Sequence, residues 1–283
     1  MLNKDFAVFI MVHGRPDKMR TYDTLRRQGY TGKIYLVADD LDDTVARYKE
    51  IYGDDVIVFD KTEAAKHSDA GDSTGDLRST LFASNVIFDL AEERGITHFF
   101  IMCDDYQNFF YAMSDSTGSV FAKDLNLMFD IMVDYYKEAP IKVLAFAQTG
   151  DFIGGVENAR GAYRFSKRKA MNTLLCSTER RVEFVGRLNE DVTTYVNLGG
   201  RGDLFLTIPV ISLSQPDTQK RKRGLTDVYL DDGTYVKSFF SVMYNPSSVK
   251  ISMMGDNHMR IHHRITWNNA APMIIDEKYK KLK

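Results

Sequence analysis

Cysteine is scarce in this 283-residue chain. Only Cys103 and Cys176 are present, which argues against a disulfide framework and fits a reducing compartment. Charge of one sign is lacking too. The formal net charge is -2, so no global basic field announces a nucleic-acid partner, and any such contact must rest on local patches. No apolar run approaches the ~20 residues of a membrane span. The first run, "FAVFIMV", is short and is followed by no small-residue cleavage site, so neither anchor nor secretory leader is expected. Internal repeats and long low-complexity segments are missing. What remains is ordinary globular text, 44% hydrophobic and 27% charged, with ample material for a core.

The first half reads as alternating strands and helices. "FAVFIMV" (6–12) is continuously apolar, as a strand buried on both faces should be. "HGRP" breaks it, and Asp17 is positioned to cap a helix reaching about Gly29. "KIYLVADD" (33–40) is a second strand, a helix is expected over 43–52, and "DVIVFD" (55–60) is a third strand. "SDAGDSTGD" (68–76) is a loop by composition. Asp76 looks like the N-cap of a long helix to about Arg94, with Leu77, Leu81, Phe88 and Ala91 on one face. "THFFIMCDD" is a fourth strand, followed by a helix near 120–138 and the strand "IKVLAFAQ" (141–148). This alternation implies a mainly parallel sheet with ligand contacts at the strand C-terminal ends. The second half is less regular. "QPDTQKRKRGLTD" reads as a mobile loop, and "MRIHHRITWNNAAPMII" returns to strand-like text. No linker separates the halves, so a single domain is expected.

Three strands end in polar signals: His13-Gly14-Arg15, Asp39-Asp40 and Asp104-Asp105. Acid-rich strand ends are common in solvated loops. Several along one rim of a parallel sheet suggest more. Asp39 could accept from ribose hydroxyls. Asp104 and Asp105 supply the hard oxygen ligands that Mg²⁺ or Mn²⁺ requires. Arg15 and Arg78 could reach phosphates, though Arg78 reads equally as a surface arginine. In "GRLNEDVTTY", Asn189-Glu190-Asp191 lies where a turn enters a helix. It is either a capping sequence or a general base, which contributes roughly 10²–10⁴-fold where a hydroxyl must become a nucleophile. His258, His262 and His263 cluster near the C-terminal end, and could be structural or could offer an imidazole to a metal. Arg164, Lys167, Arg168 and Lys169 form one basic cluster, and Lys220, Arg221, Lys222 and Arg223 another. They are either solvated faces or contacts to a phosphate backbone.

The opening strand, the acid after the second strand, the arginine helix, the strand ending in "CDDY" and the downstream "NED" together resemble a GT-A type nucleotide-sugar glycosyltransferase. The resemblance implies an α/β, Rossmann-like fold in one domain over residues 1–283. Its central sheet would be mixed and mainly parallel, with a nucleotide-sugar-binding half at 1–150 and an acceptor-binding half at 151–283. Enzymes of this type place D-x-D acids on metal and diphosphate, and inverting members often use the aspartate of an x-E-D motif as base. Carried over, Asp104 and Asp105 would hold a divalent metal (Mn²⁺ or Mg²⁺) and the UDP-sugar. Asp191, with Glu190 beside it, would be the base. "CDDY" does not spell D-x-D, and Asp105 is the preferred metal ligand.

"NEDV", "YNPSSVKI" and "HHRITW" look more narrowly like the glycosyltransferases associated with TET/JBP base oxidases. That group includes phage enzymes and the base-J glucosyltransferase. The resemblance implies transfer of a sugar, often glucose, from a UDP-sugar to a pyrimidine such as 5-hydroxymethylcytosine in DNA. The target nucleotide would be extruded from the stack and the backbone steadied by the basic clusters. A cytoplasmic location is expected, that of the host if a phage encodes the chain. Alternatives are a transferase acting on protein or polysaccharide, a nucleotidyltransferase, and a non-catalytic nucleotide- or DNA-binding module.

Overall fold

Strand β1 (Phe6–Val12) divides the molecule, because its side chains alternate between two cores. Phe6, Val8, Ile10 and Val12 face one, and Ala7 and Phe9 the other. The computed structural model describes residues 4–148, 151, 166–171, 173–216, 225–233, 235–254 and 259–272. In chain order the first elements are β1, α1 (Arg20–Arg27), β2 (Lys33–Asp39), α2 (Val45–Tyr52), β3 (Val56–Phe59), α3 (Lys61–Lys66), α4 (Leu81–Glu93) and β4 (His98–Cys103). A hairpin, β5 (Asn108–Ser114) and β6 (Gly118–Phe121), precedes α5 (Leu125–Glu138) and β7 (Ile141–Gln148). Then come β8 (Thr173–Ser177), α6 (Glu190–Gly200), β9 (Leu204–Ser214), α7 (Leu225–Asp232) and α8 (Val236–Tyr244). The described part closes with β10 (Val249–Met254), β11 (Arg260–Ile265) and α9 (Trp267–Ala270).

Nine strands form one sheet in the order β3-β2-β1-β4-β8-β7-β9-β5-β6, drawing on both halves of the chain. Only β8 and β5 run against the rest. This is the mixed, mainly parallel α/β sheet expected of a GT-A fold. A separate antiparallel pair, β10–β11, packs against α8. On one face of the large sheet lie Leu25 of α1, Tyr48 of α2 and Phe129 of α5; on the other, Ala64 of α3, Phe88 of α4 and Val196 of α6. Phe129 touches the rings of Phe6, Phe100, Phe109 and Phe146 at centroid distances of 4.8–6.5 Å. Among the described residues no helix is long and apolar enough to cross a membrane.

Several boundaries differ from the sequence reading, each for a local reason. Asp17 caps nothing: a 3₁₀ turn (Pro16–Lys18) intervenes before α1. Asp76 does not open α4 either. Its carboxylate is taken up by the Arg78 backbone N–H, at 2.9 Å, and by two guanidinium groups. The chain therefore stays irregular until Ser79 Oγ accepts from the Leu81 N–H at 3.0 Å. Helix α3 was not anticipated, although Asp60 accepts from the Glu63 N–H at 2.7 Å in the D-x-x-E arrangement of a capping box. The expected helix near 120 starts at Leu125, capped by Asp124, because 108–121 forms the hairpin.

Since β1, β2 and β4 are parallel neighbours, residues 13–15, 39–42 and 104–105 share one rim. Phe129→Ala should remove the hub of the aromatic cluster and cost about 3–5 kcal/mol, read as a lowered midpoint in urea unfolding.

Candidate active site

Asp39 ends β2 almost fully buried, at 5% exposure. Its Oδ2 accepts from Lys61 Nζ at 3.0 Å and meets His13 Nδ1 at 3.1 Å. Burial pushes the Asp39 carboxyl up, but the His13 and Lys61 contacts outweigh it and hold the group below the usual range. The His13 imidazole is correspondingly raised, first by its hydrogen bond to Asp39. Asp39 Oδ1 is buried with no hydrogen-bond partner among the described residues, as an acceptor meant for a ligand would be. Asp42 holds the facing turn: its Oδ2 accepts from the Gly14 N–H at 2.8 Å and its Oδ1 from the Thr44 N–H at 2.9 Å.

At the end of β4, "CDDY" is latched onto α1. Thr21 Oγ1 donates to the Cys103 carbonyl at 2.6 Å and accepts from the Tyr106 N–H at 2.9 Å. Asp104 is buried, and Arg15 Nη2 donates to its Oδ1 at 2.8 Å. Arg15 therefore neutralises Asp104 instead of reaching outward. Asp105 is half-buried. Asp104 and Asp105 are adjacent hard-oxygen donors, suited to a Mg²⁺- or Mn²⁺-type ion that completes its shell with substrate oxygens and water. They fall short of a closed cage, since no group of three or more His, Cys, Asp and Glu able to hold a metal occurs among the described residues. His262 and His263 thus do not join Asp104 and Asp105 in one ready-made centre. Both lie on β11, paired with Ser252 and Ile251 of β10.

Asn189-Glu190-Asp191 opens α6. Asn189 adopts the left-handed conformation, φ 63°, tolerated by Asn and costly for most residues. This turn is anchored to the segment before and within α4. Asn85 Oδ1 accepts from the Phe184 N–H at 2.8 Å, Ser79 Oγ donates to the Arg187 carbonyl at 2.6 Å, and Thr80 Oγ1 donates to Glu190 Oε1. Arg187, 4% exposed, donates from Nε to Asp72 Oδ2 and from Nη1 to Asp76 Oδ2, both at 2.9 Å. The Gly186 and Arg187 N–H groups donate to the carbonyls of Asp69 and Ala70. The half-buried Cys103 thiol is pushed up by desolvation, then by Asp105, Asp104 and Glu190. Both strand-end acids and Glu190 of α6 therefore act on the same thiol.

The two α6 carboxyls differ. Burial and the neighbouring Asp191 push Glu190 up to about 7. Burial also raises Asp191, but the Val192 N–H donates to its Oδ1 at 2.7 Å, and Lys169 and Lys237 favour its charged form. Both carboxyls are thus raised, Glu190 to near neutrality, which suits groups that exchange a proton.

Other expected residues are placed differently. Arg78 lies before α4, with its guanidinium held by Asp76 at 3.0 Å and by Asp231 of α7, so it is not directed at a phosphate. Arg168 is buried, with Nε 3.5 Å from Asp151 Oδ1, and is not displayed to a DNA backbone. Lys167 donates to Asn268 Oδ1 at 2.8 Å. Lys169 acts electrostatically on Asp191 and His263. Arg164, Lys220, Arg221, Lys222, Arg223 and His258 lie outside the described residues. Lys61, Thr80, Arg187 and Lys237 escaped the sequence reading. Arg187 adjoined the "NED" motif and Lys61 followed a strand-end acid, whereas nothing local marked Thr80 or Lys237.

A family model described as TET-Associated Glycosyltransferase matches residues 6–224. No curated protein matches. Among solved structures, glucosyl-3-phosphoglycerate synthase from Mycobacterium tuberculosis, with Mn²⁺, UDP and phosphoglyceric acid, superposes with TM-score 0.47 at 10% identity, covering 95% of this chain and 89% of that one. S. aureus TarS 1–349 with UDP gives TM-score 0.44 at 11% identity, covering 84% and 64%. Arg187→Met should leave Asp72 and Asp76 facing an apolar side chain and cost about 3 kcal/mol, measured by thermal and urea unfolding.

Proposed function

We propose, for a chain that belongs to the TET-associated glycosyltransferase family, that its donor is a UDP-sugar and its acceptor the hydroxymethyl group of 5-hydroxymethylcytosine or a related pyrimidine in DNA. The glycosyltransferase activity is the family's. The donor, the acceptor, the involvement of a divalent metal and inversion at the anomeric carbon are the proposal. The observation that carries it is the pairing of two acid sets. Asp104 and Asp105 close β4, while Glu190 and Asp191 open α6, and Asp105, Asp104 and Glu190 all raise the half-buried Cys103 thiol. One set is arranged to grip a leaving group and the other to take a proton.

Asp39, with its unanswered Oδ1, would accept from the nucleoside. His13 and Lys61 hold it ionised. Asp105, supported by Asp104, would hold Mg²⁺ or Mn²⁺, which when bound neutralises charge on the diphosphate. Asp191, raised by burial against the opposing Val192 N–H and two lysines, accepts in its ionised form the proton of the incoming hydroxymethyl oxygen as that oxygen attacks the anomeric carbon. Glu190, fixed by Thr80, stays protonated below about pH 7. Its ionisation above that pH raises the proton affinity of Asp191. The DNA acceptor is supported by the family's association and by the "KRKR" text, not by the 167–169 cluster.

The direct test is incubation with UDP-sugars, Mg²⁺ or Mn²⁺, and hydroxymethylated DNA, followed by mass analysis of the nucleosides. No hexose adduct with any donor would refute the acceptor assignment; an adduct on protein or polysaccharide instead would favour that alternative. Asp191→Asn should lower kcat at least ~100-fold while UDP affinity stays within about twofold; a large loss of affinity would end this division of roles. Asp105→Ala should weaken UDP and metal binding together, seen by calorimetry. With Glu190 titrating near 7, kcat/KM should rise as pH passes upward through about 7, and Glu190→Gln should flatten that limb. Charge reversal across Lys220–Arg223 should weaken DNA binding more at low salt than at high salt.

A further inference from the structure

The two-stranded ribbon β10–β11 has unlike faces, because alternate residues of a strand point to opposite sides. Val249 pairs with Ile265, Lys250 with Arg264, and Ile251 with His263. Val249 and His263 therefore share one face, and both are buried. That face is seated on the molecule. Val249 belongs to a core with Ile265 packed against it, both strands pack on α8, and the His263 ring meets the Asn189 side chain at 3.3 Å, next to Glu190 and Asp191. Lys250 and Arg264 share the other face, and both are exposed.

These two cations stand directly across the ladder from each other. Like charges opposed at about 5 Å destabilise a strand pair. A carboxylate would offset the repulsion, yet neither side chain has an ion-pair partner among the described residues. The two strands, VKISMM and RIHHRI, contain no acid. The chain is not short of acids, with 39 against 37 lysines and arginines. Exposed arginines elsewhere are answered: Arg47 by Asp17 and Glu50, Arg78 by Asp76 and Asp231, Arg181 by Asp89. A repelling pair kept apart from the molecule's own carboxylates is relieved by an outside anion.

We infer that the outward face of β10–β11, through Lys250 and Arg264, grips the phosphate backbone of the acceptor DNA. The inference rests on the acceptor reading above and adds a surface to it. Two-stranded ribbons serve as DNA-binding elements, and phosphate contacts position a duplex without reading its sequence. The face looks away from the Glu190–Asp191 turn, so an extended polyanion fits it and the small donor does not. The ribbon is one layer thick, which puts this face roughly 10 Å from the turn that the seated face touches. That is about three duplex steps of 3.4 Å, so the phosphates held belong to nucleotides flanking the one presented to Asp191.

The test uses the full chain and a duplex containing one 5-hydroxymethylcytosine, with affinity measured over a range of salt, and UDP with Mg²⁺ as a second probe. Each phosphate contact contributes about 0.9 to the slope of log affinity against log salt. Lys250→Gln and Arg264→Gln should each reduce that slope by about 1, and the double variant by about 2. Affinity should fall ~10-fold or more at low salt and approach wild type at high salt. Arg264→Lys should keep the wild-type slope, and UDP affinity should stay within about twofold throughout. The thermal midpoint of the double variant should not drop below wild type, since the substitutions relieve a repulsion. The inference is overturned if the double variant keeps the wild-type slope, or if its midpoint falls, which would make the pair structural. It is equally overturned if Lys49→Gln, at an exposed position on α2, reduces the slope as much, which would make the effect one of net charge. A parallel loss of UDP affinity would assign the face to the donor and overturn it too. Wild type that does not retain the duplex defeats the acceptor reading together with this one, whereas retention matched by the double variant defeats this one alone.

Discussion

A buried guanidinium organises the turn that opens α6. Arg187 stands one residue before Leu188 and three before Glu190, almost without solvent, between Asp72 and Asp76. A charge removed from water demands partners of opposite sign at hydrogen-bond distance. Meeting that demand draws a polar, glycine-containing loop, which has little apolar surface of its own, onto the segment leading into α6. Backbone bonds from Gly186 and Arg187 to Asp69 and Ala70 complete the seam. The position of Glu190 and Asp191 relative to the large sheet follows from that seam more than from any feature of α6 itself.

The acids of the site fall into two physical classes. Asp39 and Asp104 are buried but answered by partners, the Lys61 ammonium and the His13 imidazole for one and the Arg15 guanidinium for the other. Their charge is stabilised, which suits permanent acceptors. Glu190 and Asp191 sit side by side at a helix start, pushed up by burial, with cations acting only on Asp191 among the causes of their shifts. Their charge is less secure, which suits groups that take and release a proton. Asp105, half-buried, adjoins the first class. Such a division of labour arises from a single strand rim and a single helix terminus.

Some of this was legible in the residues. Continuous apolar runs at 6–12, 98–103 and 141–148 announced buried strands, and acids at their ends announced the rim. The "NED" motif was read at a helix entrance, where α6 begins. The misreadings share a cause. Asp17 and Asp76 carried sound local capping signals, yet Asp76 answers Arg187 from 111 residues away, and that long-range demand overrides local preference. Strand β8 offered no sign that it would insert antiparallel between β4 and β7, because pairing direction is a property of neighbours. The basic text at 167–169 looked like a surface patch, but composition does not distinguish a solvated arginine from one buried beside a carboxylate, as Arg168 is beside Asp151.

The sequence by itself determined the α/β class, the parallel rim and the chemical types gathered there, since hydrophobic periodicity and strand-end polarity are local and act through nearest neighbours in the chain. Only the tertiary structure decided which acids are neutralised and which are destabilised. Those properties depend on burial and on cations contributed by distant segments, and electrostatic energy is set by separation in space, which the order of residues does not encode.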